Sequence, residues 1–169
     1  PTRTRVDYDE AMVSIPVTNQ GFLAASKANV FKGRKAFTNG ATETPVGLLT
    51  LSDGATPVLQ AALVPGELYP ELSVGGAVRD PAADFPEAPI EAPLKPLMTA
   101  RYRMLFGLAN DEIGYIIPRA QWDEAAPYTF GAAKRWYGEV NSVGPDAAPI
   151  IVAALTRLPW LREGHMPEW

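Results

Sequence analysis

Residues 46–64 read VGLLTLSDGATPVLQAALV. Two apolar runs, 46–51 and 58–64, flank Ser52-Asp53-Gly54-Ala55-Thr56-Pro57. An Asp-Gly pair between two such runs is a strong hairpin signal, because glycine accepts the positive φ that tight turns demand. The stretch therefore predicts two antiparallel strands. The second run stops at Pro65-Gly66, and Glu67 follows. A strand thus delivers a carboxylate straight after a Pro-Gly turn. Sites in α/β sheets gather at the carboxyl ends of strands, and a glycine allows a sharp turn or a close approach of backbone to ligand. Glu67 also reads as a turn acid that opens a short helix over about 67–74, where the helix dipole favours it. The residues alone leave both readings open.

Upstream, Val13, Ile15 and Val17 alternate and predict a strand near 11–17. Asn19 is a good N-cap for a helix over 20–31, with Phe22, Leu23, Val30 and Phe31 on its apolar side and Gly33 closing it. Downstream, five prolines between 81 and 96 alternate with acids and small residues. Such a stretch sustains neither a helix nor a central strand, and it predicts a long surface strap over about 77–97. Residues 101–109, RYRMLFGLA, read as a buried strand that ends at Asn110-Asp111-Glu112. A short extended piece over 115–117 stops at Pro118. After an irregular aromatic stretch, Gly144-Pro145-Asp146 opens a helix. Pro145 stands at its first position, Ile151, Leu155 and Leu158 lie at helical spacing, and Pro159 ends it. Strands and helices together predict a mixed α/β sheet with flanking helices.

Composition narrows the chemistry. The chain has 169 residues, 47% hydrophobic and 20% charged, enough for about one domain with a core. A net charge of -4 without a basic stripe argues against nucleic acid, and Arg3 and Arg5 read as a solvated pair. There is no cysteine, which excludes thiolate zinc sites and cysteine nucleophiles. No apolar run approaches the ~20 residues of a membrane span. The single histidine, His165, reads as a tail residue, with Trp160 and Trp169 as anchors of that tail or contacts to a partner. One histidine cannot form the cluster a hydrolase usually needs. No serine sits in a Gly-x-Ser-x-Gly context.

Two further stretches place polar groups where chemistry is possible. Asn110-Asp111-Glu112-Ile113-Gly114-Tyr115 ends a strand and then presents a tyrosine after a glycine. Tyr115 reads either as a loop residue bonded to backbone or as a metal ligand, since a metal can hold a phenolate. Tyr137-Gly-Glu-Val-Asn-Ser-Val-Gly-Pro145 sets Ser142 just ahead of a helix start, which reads as a capped helix or as an anion-favouring end.

Taken in order, the Val64-Pro65-Gly66-Glu67 strand end, the Gly107-Leu108-Ala109-Asn110 strand end with Tyr115 five residues on, and the Tyr137-Gly-Glu to Gly144-Pro145 stretch resemble the neutral/alkaline ceramidase family over roughly residues 46–158. The resemblance implies the C-terminal half of a catalytic domain spanning 1–169. In that family a zinc ion is held by two histidines, a glutamate and a tyrosine, and a serine takes part in amide cleavage. Glu67 and Tyr115 match the glutamate and the tyrosine. The histidines and the serine match nothing in this chain and would come from an upstream polypeptide. No catalytic residue is assigned here, and Asn110 and Ser142 are expected to line the substrate pocket. The implied activity is zinc-dependent hydrolysis of an N-acyl amide by a two-part, heterodimer-like enzyme. Secreted or periplasmic location and contact with a lipid surface follow from family habit. The proline strap stands where the family has a helix-like stretch. The alternative is a non-catalytic binding or scaffolding subunit of the same architecture.

Overall fold

A computed structural model describes residues 4–31, 37 and 39–158 of the chain. Gly33, Pro159, Trp160, His165 and Trp169, named above, lie outside the described residues. The two runs around Asp53-Gly54 form the predicted hairpin, extended to β2 (Ala41–Asp53) and β3 (Thr56–Leu63), with Gly54 at φ 60° in its turn. β1 (Thr4–Pro16) pairs antiparallel with β2 along its whole length, from Thr4 opposite Asp53 to Pro16 opposite Ala41. The expected strand near 11–17 is only the buried end of this longer one. On the other side of β3 lies β5 (Tyr102–Phe106), and this pair is parallel. The sheet order is β1-β2-β3-β5, so the fold is mixed α/β. A second, two-stranded sheet pairs β4 (Glu67–Leu68) in parallel with β6 (Tyr115–Ile116).

Five α-helices, α1 (Gln20–Lys27), α2 (Pro70–Val74), α3 (Leu94–Leu97), α4 (Tyr137–Val140) and α5 (Ala147–Leu155), and two 3-10 turns (Arg119–Gln121 and Thr129–Gly131) complete the described elements. The apolar alternation of the strands buries one sheet face. Ile15, Val46, Leu48, Ala62 and Val64 meet Ile151 and Leu155 of α5, all at 1% exposure or less. Removing a side chain such as Leu155 from such a core typically costs ~2–5 kcal/mol. Helix α1 is shorter than its apolar pattern suggested and buries none of its residues fully; Val30 is exposed. The strap runs without regular structure from Gly75 to Pro93, as its prolines require, and a single helical turn, α3, follows it.

The strand expected to be buried at 101–109 is β5, a sheet edge, and four of its five residues are exposed. Its apolar residues Tyr102, Met104 and Phe106 stand exposed on the face opposite the core, with the Arg101 guanidinium over the Tyr102 ring at 5.2 Å. Composition reports how apolar a strand is and not whether a layer lies over it. Gln60 adds to the backbone pairing of β5 with β3. Its side chain is buried within β3, and its Oε1 accepts hydrogen bonds from the N–H of Thr99 at 2.8 Å and of Ala100 at 3.1 Å. These bonds pin the segment that feeds β5. Gln60→Leu keeps the volume and strands two N–H groups, so it is expected to lower unfolding free energy by roughly 2 kcal/mol or more. A urea titration checks this, and an unchanged midpoint would show that the two bonds do not anchor β5.

Candidate active site

The ends of β3 and β5 converge on one backbone seam. Beyond Leu63 the chain keeps pairing: Val64 N–H donates to the Phe106 carbonyl at 2.9 Å, and Ala109 N–H to the Val64 carbonyl at 3.0 Å. Leu108 N–H then reaches the Gly66 carbonyl at 3.1 Å. At Gly66 a Cβ would lie 2.2 Å from the Gly114 carbonyl oxygen. Gly114 has φ 88°, and a Cβ there would lie 1.9 Å from the Asn141 carbonyl oxygen. Only glycine fits either place. The three strands of chain can therefore approach, and Glu67 N–H donates to Gly114 O at 3.1 Å while Tyr115 N–H donates to Asn141 O at 2.9 Å.

This seam sets Glu67 directly opposite Tyr115 in register. The neighbouring Glu67 carboxylate is the main reason the Tyr115 phenol is held above its usual range, with desolvation adding to it. Both residues line a cleft of about 270 Å³. Its polar lining is Glu67, Glu112, Tyr115, Tyr137 and Asn141, and its apolar lining includes Phe22, Phe31 and Phe37. The phenylalanine rings stand 5.9 Å apart in edge-on and tilted contacts. Glu112 bends back to accept from Gly114 N–H at 2.6 Å. Asn19 ties α1 to the far wall: its Oδ1 caps Phe22 N–H, and its amide donates to the carbonyls of Val140 and Ser142, each at 2.9 Å.

Neither Asn110 nor Ser142 lines this cleft. Ser142 is fully buried, and its Oγ accepts from Gly144 N–H at 3.3 Å. Asn110 is exposed on the loop after β5, with φ 69°, and its amide donates to the Tyr8 hydroxyl at 3.0 Å. Sequence reasoning missed the aromatic bracket around Tyr115. Tyr69 stands edge-on to it at 6.1 Å between ring centres and Tyr137 at 5.7 Å. Beneath Tyr69 lies Glu139, 2% exposed, whose Oε2 has no hydrogen-bond partner. The Tyr69 hydroxyl is pushed up to about 12, first by burial and then by the charges of Glu139, Tyr115 and Glu71. It packs so closely on Gly138 that a Cβ there would lie 2.2 Å from it. The Tyr-Gly-Glu triplet was the available signal, since an acid flanked by an aromatic residue and a glycine just before a buried helix has little water to reach.

The donor set accommodates part of a zinc site. A carboxylate and a phenol, both oxygen groups, line the same cleft on paired strands. Among the described residues no group of three or more His, Cys, Asp or Glu side chains is placed to hold a metal ion, so a full coordination shell needs groups from elsewhere. No family model, no curated protein and no solved structure matches the chain.

Burial pushes the Glu139 carboxyl up to about 7; the Asp123 charge adds to the rise, while backbone N–H groups and Arg135 oppose it. In the unfolded chain a glutamate titrates near 4.3. From there to about pH 7 the folded chain keeps a proton that the unfolded chain has lost, so stability falls as pH rises and levels off above that window. The decline is expected to be roughly 1–3 kcal/mol. It should be absent in Glu139→Gln, and denaturant unfolding across pH 4.5–8 checks it. Parallel profiles for the two proteins would contradict the assignment.

Proposed function

We propose that the chain is a subunit or fragment of a zinc-dependent hydrolase that cleaves an N-acyl amide, with the zinc histidines and the serine supplied by the upstream half or a partner chain. One observation carries the reading: Glu67 and Tyr115, far apart in sequence, stand in register on paired strands and line one cleft. These are the two residues that the ceramidase resemblance marks as ligands. When bound, zinc would polarise the amide carbonyl or activate the attacking oxygen. The chain's own residues orient the site. The Gly66–Gly114 approach holds the Glu67 and Tyr115 oxygens together, and the Tyr69 and Tyr137 rings bracket Tyr115 from either side. Phe22, Phe31 and Phe37 supply an apolar wall opposite the oxygens. A substrate with a hydrocarbon part next to a hydrogen-bonding amide matches those two walls.

Glu67 is exposed and Tyr115 half-buried, so changing either should leave the core intact. In the assembled protein Glu67→Ala is expected to lose zinc and turnover, with an unchanged circular dichroism spectrum. Tyr115→Phe keeps the ring and removes the ligand atom. It should weaken zinc binding at least ~10-fold, since even groups that merely support a ligand are worth that much. Metal content by mass spectrometry and hydrolysis of a fluorogenic N-acyl amide give the readouts. Full zinc occupancy with normal turnover in Glu67→Ala removes that residue from the site. An assembled wild-type protein that binds no zinc is a scaffold of the same architecture.

A further inference from the structure

The proline strap and α5 face each other across a hollow of about 830 Å³. Its walls include Phe85, Pro86, Pro89 and Ile90 of the strap and Val152 and Ala153 of the helix. It shares no lining residue with the Glu67–Tyr115 cleft. The strap is fastened on both sides of the hollow to the chain after β6. Asp84 N–H donates to the Trp122 carbonyl at 2.9 Å, and the Asp84 carboxylate accepts from the N–H groups of Glu124 at 2.7 Å and Ala125 at 3.3 Å. On the other side Glu91 Oε1 accepts from Arg119 N–H at 3.1 Å. The prolines between fix φ, so this stretch has little freedom left to lose when a ligand enters. A concave, mostly apolar space of roughly 300–1,000 Å³ with a few polar groups is the usual form of a small-molecule site. We propose that the hollow binds a compact molecule with an apolar ring body and one protonated amine.

The charges along the lining select the amine. Asp84, Glu87 and Glu91 bring carboxylates, and among the described residues Arg119 is the one cation there. Arg119 is already engaged: its Nη1 donates to Asp146 Oδ1, and its guanidinium lies 4.7 Å from the centre of the Phe85 ring. Glu91 spends Oε1 on the Arg119 N–H, and its Oε2 is buried with no hydrogen-bond partner among the described residues. A carboxylate oxygen left unpaired in such a place is costly, and an ammonium group supplies the missing donor. Glu87 is exposed and enters no ion pair among the described residues, so its charge also faces an incoming ligand. An anion meets the same three carboxylates as repulsion. The ring body answers the apolar walls. Ile90 is 44% exposed, and a ring seated against it takes that surface out of water. The proposal stands apart from the zinc reading, since it uses neither Glu67 nor Tyr115.

Three probes of one shape test it: α-naphthylmethylamine, α-naphthylmethanol and α-naphthoate, which at neutral pH are a cation, a neutral molecule and an anion. Calorimetric titration of the full protein should give the amine a Kd at least ~10-fold below that of the alcohol, and the acid a Kd above it. Glu87→Gln combined with Glu91→Gln should abolish the preference for the amine and leave the Kd of the alcohol unchanged. Ile90→Ala, at an exposed position, should weaken all three probes about 5-fold. Glu67→Ala and Tyr115→Phe alter the other cleft and should leave all three affinities as they are. Binding by none of the probes, equal binding of amine and acid, or a preference that survives in the double variant overturns the proposal. So does loss of binding in Tyr115→Phe, because the probe then sits in the other cleft. If circular dichroism shows the double variant unfolded, Glu87→Gln alone decides: the amine preference should fall about 3-fold, and an undiminished preference overturns the proposal.

Discussion

The structure turns on the backbone contact at Gly66. There the chain leaving β3 meets Gly114 so closely that no side chain fits between them, and the Gly66 carbonyl also takes the Leu108 N–H. One crowded point thus joins the end of β3, the end of β5 and the start of β6. Because β3 and β5 are parallel, both chains emerge from the sheet at the same end, and the seam converts that shared exit into a fixed register between Glu67 and Tyr115. A side chain at position 66 or 114 would separate the strands and with them the two oxygens. The remaining parts of the cleft serve that register: Asn19 ties α1 to the 140–143 segment, and the Tyr69 ring fills the space left by Gly138.

Much of this was legible in the residues because local signals and tertiary demands agree there. Asp53-Gly54 marks the hairpin turn, Asn19 caps α1, and Ile151, Leu155 and Leu158 are buried as their spacing requires. Pro65-Gly66 ends the strand just ahead of Glu67. The pairing partners were not legible. Nothing local in RYRML distinguishes a central strand from an edge, and the parallel pairing of β5 with β3 is joined by a long-range bond set from the buried Gln60 amide to Thr99 and Ala100. The two-residue strands β4 and β6 are too short to carry any period. The site followed the same division. Motif order singled out Glu67 and Tyr115, whereas the phenylalanine wall and the buried Glu139 come together only through the fold. Ser142 stands beside a helix start as read, but its hydroxyl is consumed by the turn to Gly144.

The most direct test is anomalous diffraction at the zinc edge on crystals of the assembled protein. The proposed reading predicts one peak about 2.0–2.2 Å from both a Glu67 carboxylate oxygen and the Tyr115 phenol oxygen, with imidazole nitrogens from outside residues 1–169 completing the shell. A zinc peak elsewhere, or no peak in a protein that hydrolyses its amide substrate, would contradict it.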